Sequence, residues 1–513
     1  MLNTNKRDVL FFMQELELSY YFCIRLMIQQ AKITCIFFLF TSIINGYAQD
    51  AYTSYQLKTF GSVSTNGQTP FWIVSNQYGI IPLKSANSFL QLGIINRQSL
   101  RKIRWDTEID LIISTPRYRN VYIQQLYTAF AYNWLHLSIG AKNDQSCNSP
   151  LINPFISSGS LAQSLNARPI PEINLYVPEF ITIPVTGGWL QTKGHFAVSK
   201  SFDSDYLKSF INHKEVFISN KLWHHKSLHF RIKDTRNNFP LSAIFGIHHT
   251  VQWGGTSTNP KIGKQPQSIK DFIRVIVGKS GGNDASDSDQ INALGAHYGV
   301  YDFGLHFEKE GWSIGAYYQH IFGDKSGMKF KNKFDGLKGI QINLPIPWVQ
   351  SVVIENLSTL NQSGPFHFIE YDHDKYPGYG GGADNYYNNQ EYRTGYSYFN
   401  RSIGSPLLIS PEYNSNGDLG FKHNRIRAWH IGASGRILKQ LNYRILLSDI
   451  KSFGTAYKPT LKKRTSMSFT TDFTYNLNDS WIFSASMAAD NGSLLGDHFG
   501  FSLSVAKRGF LRK

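Results

Sequence analysis

Short segments in which apolar and polar residues alternate recur along the chain, from about residue 53 to residue 505. In TSMSFTTDFTY, Met467 and Phe469 would share one face of a strand, and the intervening serine and threonine residues would share the other. IRWDTEIDL (103–111) and FGFSLSV (499–505) repeat the pattern. Because successive side chains of a strand point to opposite faces, this period of two predicts half-buried antiparallel strands.

Two all-β architectures use such strands: a soluble domain with a dry core, and a transmembrane barrel with lipid outside and a polar lumen. Three features favour the barrel. Residues 27–48 have the pattern of an export signal, charged residues such as Asp106 and Glu108 lie on the polar faces, and Phe510 lies near the C-terminal end of a last strand. The sequence therefore predicts a single antiparallel barrel, with about 16–18 alternating segments along the chain. A large periplasmic or surface β-domain is the alternative.

The N-terminal region has the pattern of a secretory signal peptide. Lys32 precedes an apolar run over positions 33–44, and Gly46 and Ala48 supply the small residues of a cleavage site. The run is too short to span a bilayer as a helix, and no later apolar run approaches the length of roughly 18 residues that a membrane helix needs. We therefore expect three segments: a mis-called N-terminal extension (1–26), a signal peptide (27–48) and the outer-membrane barrel (49–513).

The exported chain is strongly basic. Over the whole sequence, 52 Lys and Arg exceed 36 Asp and Glu by 16. Positions 1–48 hold four basic and three acidic side chains, so their removal leaves a formal net charge of +15. An exported protein is not expected to bind nucleic acid, so this charge indicates acidic polysaccharide or lipopolysaccharide phosphates, or solubility alone. Cys147 is the single cysteine after Ala48, so we expect no intramolecular disulfide.

Histidine-rich stretches raise the question of a metal site. His248 and His249 are neighbours in a predicted strand, so they would point to opposite faces and could not share one metal there. LWHHKSLHF (222–230) and YDHDKY (371–376) match no zinc or calcium spacing. We therefore expect polar faces at these positions, with no metal and no cofactor.

Motifs for catalysis are weak. GWSIG (311–315) fits G-x-S-x-G, but Ser313 lies in an alternating segment and not in a strand-to-helix turn. Glu172 and Glu179 could be imagined as a glycosidase pair, yet their spacing along the chain does not establish one. The sequence therefore predicts a protein that is not an enzyme.

The largest predicted loop, residues 377–417, is rich in tyrosine, asparagine and glycine, with seven tyrosines between residues 379 and 413. Tyrosine rings can stack on sugars, asparagine and glutamine can bridge hydroxyls, and arginine can pair with a uronate. This composition indicates glycan contact. An ordinary extracellular loop beside an aromatic membrane belt is the alternative.

The stretch SLNARPIPEINLYVPEF (164–180) alternates like a strand but contains three prolines. Pro169 and Pro171 would lack N–H donors on the same edge, which an inner strand does not tolerate. We therefore expect residues 168–179 not to pair along their full length. They would form a stiff segment at the barrel mouth or in the lumen, whose charged residues pair with the lumen wall. A charged rim loop is the alternative.

Five stretches, in this order, resemble the capsule assembly Wzi family of outer-membrane proteins, in its Bacteroidetes form: SLNARPIPEINLYVPEF, HHTVQWGG, IENLSTLNQSGPF, DNYYNNQEYRTGYSYFNRSIGSPLL and NRIRAWHIGASGRI. The resemblance covers essentially the whole mature chain. It implies an 18-stranded barrel with a small helical plug on the periplasmic side, and a lectin-like role that holds capsular polysaccharide. DYLKSFINH (205–213) is the one helical hint for that plug, and NQEY (389–392) lacks the glycine expected there.

We therefore predict a non-enzymatic outer-membrane barrel that binds capsular or other exopolysaccharide, helps to assemble or anchor the capsule, and contacts outer-membrane lipid and lipopolysaccharide. A porin-like diffusion channel or transporter on the same fold is the alternative. The residues expected to contact polysaccharide are Arg168, Glu172, Glu179, His249, Trp253, Tyr392, Arg393, Tyr396, Tyr398, Arg401, Arg425 and His430.

Overall fold

The computed structural model describes most of the chain after the predicted signal peptide. The described residues are 50–115, 119–143, 148–212, 215–234, 236–237, 239–364 and 382–512. The signal peptide, Cys147, the YDHDKY motif and the first residues of the tyrosine-rich loop lie outside them, so the expectations for those segments remain predictions.

Within the described residues, eighteen strands form one antiparallel barrel. Each strand pairs with the next along the chain, and the last pairs with the first, with Arg512 opposite Thr53, which closes the sheet of described strands and leaves it no free edge. The predicted fold class is confirmed. In chain order the strands are β1 (Asp50–Gln68), β2 (Lys84–Leu100), β3 (Ile103–Ser114), β4 (Val121–Tyr132), β5 (Leu135–Ala141), β6 (Glu172–Thr182), β7 (Leu190–Lys200), β8 (Ile218–Ser219), β9 (Leu222–Lys233), β10 (Leu241–Trp253), β11 (Thr256–Ser257), β12 (Ala296–Lys309), β13 (Trp312–Phe322), β14 (Gly336–Ile346), β15 (Val349–Ser358), β16 (Ser397–Tyr398), β17 (Arg401–Ser402), β18 (Ile426–Leu438), β19 (Leu441–Gly454), β20 (Pro459–Asn476), β21 (Trp481–Asn491) and β22 (His498–Arg512). The two-residue strands pair outside the barrel, β8 with β11 and β16 with β17.

The two rims of the barrel differ in the length of their connections. At one rim, which we call the short-turn rim, connections such as 101–102 and 310–311 are brief, and the described chain begins and ends there. At the other, the long-loop rim, connections such as 142–171 and 359–425 are extended. Bacterial barrels place short turns in the periplasm and long loops outside the cell.

Helices occur mainly in the long connections. No helix in the described ranges combines the length and apolar character needed to cross a membrane. The α-helices are Phe71–Val74, Ser204–Phe210, Ile269–Val277, Asp287–Ile291 and Lys325–Met328, and 3₁₀ turns span Pro184–Thr186 and Pro411–Tyr413.

The outer face of the barrel is apolar. Along β22, Phe499, Phe501 and Leu503 are exposed, while the residues between them are buried or partly buried. Phe303 and Leu305 repeat this on β12. An apolar surface that continues around a barrel is what lipid would cover.

The inner face is polar and largely covered by the chain itself. Two connections, residues 148–171 and 382–425, fold back from the long-loop rim into the barrel, and together we call them the cork. Cork residues Ile156, Leu161 and Leu408 form one buried cluster with wall residues such as Val353 and Leu446. The long-loop half of the lumen is therefore filled by the protein's own chain.

The cork differs from the helical periplasmic plug that the resemblance implied. It enters from the long-loop rim and is mostly irregular, with only the short β16–β17 pair and the 3₁₀ turn Pro411–Tyr413 among its described residues. The predicted helical stretch does form a helix, Ser204–Phe210, but in the connection between β7 and β9. Its Tyr206 ring lies 5.3 Å from Phe399 of the cork. The local pattern identified a helix, whereas its place was decided by packing.

The proline-containing stretch is a barrel strand over part of its length. Strand β6 begins at Glu172 and pairs with β5 and β7, so residues 172–177 are in the ladder. Pro169 and Pro171 precede the strand, and Pro178 lies where the β6–β7 register shifts, between Val177 and Ile181. Each missing N–H therefore falls outside the regular ladder, as proline requires. Residues 168–171 lie outside the strand, as predicted, but the rest is part of the wall.

Candidate functional site

The three tyrosines expected to contact glycan are buried in the cork. Tyr392, Tyr396 and Tyr398 are 2%, 1% and 3% exposed. The hydroxyl of Tyr392 donates to the Gly254 carbonyl at 3.2 Å, and that of Tyr396 lies 3.2 Å from Thr250 Oγ1. In this conformation none of the three rings can stack on a sugar. The expectation of an exposed aromatic loop is corrected: the three rings are buried with the cork, and Tyr396 joins it to β10.

Arg401, also expected to meet polysaccharide, is buried in an ion pair. Its guanidinium contacts the Glu412 carboxylate, and Nη2 donates to the Ile81 carbonyl at 3.0 Å. Both partners lie in the cork, Arg401 at the start of β17 and Glu412 in the 3₁₀ turn that follows. Arg401 therefore organises the interior and is closed to a ligand from outside.

Arg168 packs between two aromatic rings. Its guanidinium carbon lies 4.4 Å from the Tyr122 ring centroid and 4.6 Å from that of Phe399, and Nη2 donates to the Ile123 carbonyl at 2.8 Å. Cation–π contacts of this kind are worth about 0.5–2 kcal/mol. The side chain was expected to pair with charges of the wall, and the contacts found here tie the cork to β4.

His249 and Trp253 lie on the outer face of β10. The residues between them, Thr250 and Gln252, face inward and contact the cork, so the alternation directs the predicted pair away from the lumen. His249 Nε2 lies 2.9 Å from His297 Nδ1. Trp253 stacks on Phe272 of the helix Ile269–Val277, with centroids 5.5 Å apart. Neither residue faces the lumen.

The helix Ile269–Val277 lies against the outer wall and remains apolar on its free side. Phe272 and Val275 pack on the barrel, whereas Ile269, Ile273 and Val277 are 82%, 57% and 59% exposed. These three recur at every fourth position and so form one stripe. A Ser268–Asp271 capping box begins the helix. The helix therefore extends the apolar outer surface at the long-loop rim.

His430 of β18 holds the cork, and Arg425, the last residue of the cork, bonds to the chain just after β15. His430 Nε2 donates to the Ile156 carbonyl at 2.8 Å, and its Nδ1 accepts from the Ser448 hydroxyl at 2.8 Å. Arg425 Nη2 donates to the Leu360 carbonyl at 3.3 Å. Gly432 faces the same side, where a Cβ would lie 1.9 Å from the Ile156 carbonyl oxygen, so the cork can approach only a glycine there.

A carboxylate that was not among the predicted site residues also anchors the cork to the wall. Glu355 of β15 accepts from the Ser157 hydroxyl at 2.6 Å, from the Ser158 N–H at 2.8 Å, and from the Tyr317 hydroxyl. Gln319 of β13 accepts from the Leu161 N–H at 2.9 Å. A polar residue within an alternating strand marks a lumen position, but no sequence signal shows that a loop reaches it.

Glu179 lines a cavity of about 430 Å³ on the short-turn side of the cork. Leu151 and Asn153 of the cork form one boundary of this cavity. The wall supplies charges of both signs: Glu179, Lys193, Arg231, Lys233 and Glu308. Glu172 lies on the same strand and accepts from Asn174 Nδ2 at 3.1 Å. The open part of the lumen therefore faces the short-turn rim.

Basic side chains are exposed at the long-loop rim. The β13–β14 connection presents Lys329, Lys331 and Lys333, together with the rings of Phe330 and Phe334. The β19–β20 hairpin presents Lys462, Lys463 and Arg464. Arg393, from the predicted set, is 43% exposed on its side chain and pairs with Glu215 at 3.3 Å. The long-loop rim thus offers two basic clusters, which we call the 329–333 cluster and the 462–464 cluster.

Three carboxyl groups of the loops have raised pKa values, and burial is the main cause for each: Asp289, Asp335 and Asp384. Desolvation, with the nearby Asp324 carboxylate, raises the pKa of Asp384 to about 7. Desolvation likewise raises the pKa of Asp289 to about 6. Asp384 accepts from the Ser363 hydroxyl at 2.6 Å where the cork begins, so its protonation is coupled to how the cork is seated.

No protein-family model matches the chain, and no curated protein matches it. Among solved structures it is similar to Wzi of Escherichia coli, described as an outer membrane protein involved in group 1 capsule assembly and a carbohydrate-binding β-barrel. The two are 14% identical over 91% of this chain and 86% of that chain, with a TM-score of 0.54.

The chain is also similar to OprD of Pseudomonas aeruginosa, with 10% identity over 91% of this chain and 97% of that chain and a TM-score of 0.44. It is likewise similar to OpdL of Pseudomonas aeruginosa, with 10% identity over 90% of this chain and 99% of that chain and a TM-score of 0.47. At so low a sequence identity, the likeness to Wzi establishes a shared fold. The chain therefore has the fold of an outer-membrane β-barrel, as the resemblance in the sequence implied.

Proposed function

We propose that this protein is a non-enzymatic barrel of the outer membrane that binds capsular or other acidic exopolysaccharide at the cell surface. It belongs with the Wzi-like proteins and helps to assemble or anchor the capsule. The cork is the observation that carries the proposal. A barrel whose lumen is filled by its own long loops is suited to holding a polymer outside rather than to passing small solutes.

The strength of the cork supports this role. Glu355, Gln319 and His430 are nearly without exposed surface and bond to cork backbone or hydroxyl groups. Removing the cork would leave these groups without their cork partners, at about 1–3 kcal/mol for each lost bond that water cannot replace. A stable cork therefore keeps the lumen closed on the long-loop side.

The charge of the long-loop rim supports an acidic ligand. The 329–333 and 462–464 clusters place six exposed cations at the rim that would face outside the cell, three on the β13–β14 connection and three near the start of β20. Exposed cations attract a polyanion over about a Debye length, roughly 8 Å in physiological salt. Uronate or phosphate groups of a polysaccharide are ligands of that kind, and the Phe330 and Phe334 rings beside the lysines add apolar faces.

The apolar outer wall and the helix Ile269–Val277 support insertion in the outer membrane. The helix continues the lipid-facing surface, and Lys270 and Arg274 lie on its remaining side. Lysine and arginine at this level are suited to the phosphates of lipopolysaccharide. The protein would therefore contact lipid along the wall and lipopolysaccharide at the rim.

A diffusion channel is the second candidate, and the cavity beside Leu151 is the observation that favours it. That cavity is lined by charges of both signs, as a solute pathway would be. It would conduct only if the cork moved. Planar-bilayer recordings of the purified protein decide between the two, because steady conductance in the unmodified protein would favour the channel.

Binding to defined polymers tests the main proposal. Purified protein in detergent should bind alginate, a uronate polymer, and capsule from the source cells, and should bind neutral dextran far more weakly. Replacing Lys329, Lys331 and Lys333 by Gln should weaken alginate binding roughly tenfold, since each exposed charge pair contributes about 0.2–1 kcal/mol. A second variant should replace Lys462, Lys463 and Arg464 by Gln.

The matched control removes the same charge at the opposite rim, at Arg101, Lys102 and Lys439. It should bind as the unmodified protein does. Equal binding to dextran and alginate would exclude recognition of acidic groups. A failure of the unmodified protein to bind either alginate or the capsule would remove the polysaccharide-binding proposal itself.

A further inference from the structure

Two histidines and one aspartate meet on the inner wall of the barrel, away from the basic clusters. His229 of β9, His248 of β10 and Asp302 of β12 place one ligand atom each within 4.8 Å of one another. His229 Nε2 lies 2.9 Å from Asp302 Oδ2, and His248 Nε2 lies 3.3 Å from the same oxygen. Their side chains are 1%, 6% and 0% exposed, respectively.

The strand register and one glycine create this meeting. His229 is opposite Gly246 on β10, and Gly246 is opposite Asp302 on β12. The His229 ring crosses the position that a side chain at Gly246 would occupy, since a Cβ there would lie 2.1 Å from its Cδ2. His248 is two residues further along β10 and therefore faces the same side.

Hydrogen bonding within the cluster is incomplete. His248 Nε2 is close to Asp302 but makes no hydrogen bond, and His229 Nδ1 is also buried without a partner. Buried polar atoms are usually paired, and leaving one unpaired costs about 1–3 kcal/mol. An imidazole nitrogen aimed at a carboxylate, without hydrogen-bond geometry, is the arrangement expected of two ligands around one ion.

The carboxylate is held in place by two further groups. Gln319 Nε2 donates to Asp302 Oδ1 at 2.9 Å, and the Ser149 hydroxyl donates to Asp302 Oδ2 at 2.6 Å. Metal-binding carboxylates commonly have such outer partners, which orient them. Ser149 belongs to the cork, so the cluster lies where the cork contacts the wall.

We propose that His229, His248 and Asp302 bind one Zn²⁺ ion, which fixes the cork to the wall through Asp302 and Ser149. Two imidazoles and a carboxylate are a ligand set that suits zinc and disfavours magnesium or calcium. Zinc bonds of about 2.0–2.2 Å place tetrahedral ligands about 3.4 Å apart, so the three atoms need to shift by no more than about 1 Å. The ion would satisfy His248 Nε2.

The test uses the full mature barrel in detergent, purified without a histidine tag and stripped with a chelator. After incubation with Zn²⁺ and gel filtration, the unmodified protein should retain one ion per chain by elemental analysis. Zn²⁺ should raise its unfolding temperature, whereas Mg²⁺ should not. Co²⁺ in place of Zn²⁺ should give the visible absorption of a low-coordinate nitrogen and oxygen site.

His249 provides the matched control, because it is adjacent in sequence and lies on the opposite face of β10. His248→Gln should abolish the retained ion and the shift in unfolding temperature, and His249→Gln should leave both unchanged. If His248→Gln does not fold, X-ray absorption of the zinc-loaded unmodified protein still counts its imidazole ligands, with two expected.

Absence of retained zinc in the folded unmodified protein would overturn the proposal and leave a plain hydrogen-bonded cluster. Equal retention by both variants, or an absorption spectrum without imidazole ligands, would overturn it as well. Polysaccharide binding is measured separately on the basic clusters, so failure of one proposal leaves the other standing.

Discussion

Tyr396 of the cork stacks on Tyr298 of β12, with ring centroids 4.5 Å apart and planes inclined by 23°. One ring comes from a segment with the composition of a surface loop, and the other from the wall of the barrel. Tyr387 meets Tyr396 edge-on at 5.2 Å and extends the contact through the cork. The tyrosine-rich segment is therefore part of the folded core, and changes to its rings should affect closure of the lumen.

Replacing Tyr396 by Ala should loosen the cork. Truncating a buried aromatic side chain costs about 3–5 kcal/mol, which is a large share of the stability of an irregular segment. Planar-bilayer recordings should show conductance that the unmodified protein lacks. Tyr457→Ala, at a ring that is 48% exposed, is the control and should stay closed. Unchanged conductance with Tyr396→Ala would contradict the assigned role of this ring.

Breaking the Arg401–Glu412 pair on one side should destabilise the cork more than replacing both partners. Removing one member of a buried pair costs about 3–5 kcal/mol because the other charge is left without compensation. The double change Arg401→Met with Glu412→Leu leaves no buried charge from this pair and should recover most of that loss. Protease cleavage within the cork, followed by mass spectrometry, measures the effect. Equal sensitivity of the single and double variants would argue against the pair.

Cork stability should fall as the pH rises from about 4 to 7, through Asp384. Its pKa is about 7 in the folded protein, against 3.8 as the ordinary value, so the folded state holds the proton more tightly than the unfolded state. The stabilisation is complete below pH 3.8 and is lost as the pH passes 7. Thermal unfolding across this range should show a smaller slope for Asp384→Asn. The remaining slope should reflect the other loop carboxyls, Asp289 and Asp335, whose pKa values are raised in the same direction.

The helix Ile269–Val277 should lie in the lipid interface. A nitroxide label at Ile273→Cys should be more accessible to dissolved oxygen, which concentrates in lipid, than to a water-soluble nickel chelate. A label at Lys270→Cys, on the polar side of the same helix, should show the reverse. Both variants carry Cys147→Ser so that one thiol is labelled. Equal accessibility at the two positions would place the helix in water.

Much of the wall was determined by the sequence alone. IRWDTEIDL lies in β3, TSMSFTTDFTY in β20 and FGFSLSV in β22, and Ile103, Met467 and Phe501 are exposed on the outer face of these strands. These predictions succeeded because the two-residue period of a strand is a local property that depends on neither its partner nor its register. The prolines also predicted correctly that residues 168–179 do not pair along their full length, since Pro169 and Pro171 lie outside β6.

The direction taken by the long loops was decided only by tertiary structure. Tyrosine can stack on a sugar or pack in a core with equal ease, so the composition of residues 382–413 could not choose between the two. Tyr396 meets the Ala162 carbonyl 234 residues away in the sequence, and no local pattern records that contact. The helix 204–210 was recognisable, but its position was not.

The cluster of His229, His248 and Asp302 also shows which features the sequence determines and which only the tertiary structure decides. Each residue is recognisable in the sequence as a polar side chain within a strand, and His248 was correctly separated from its neighbour His249. Their meeting depends on the register of three strands and on the gap at Gly246. Local alternation determines which face a side chain occupies, whereas distances across a sheet are determined only when the strands are paired.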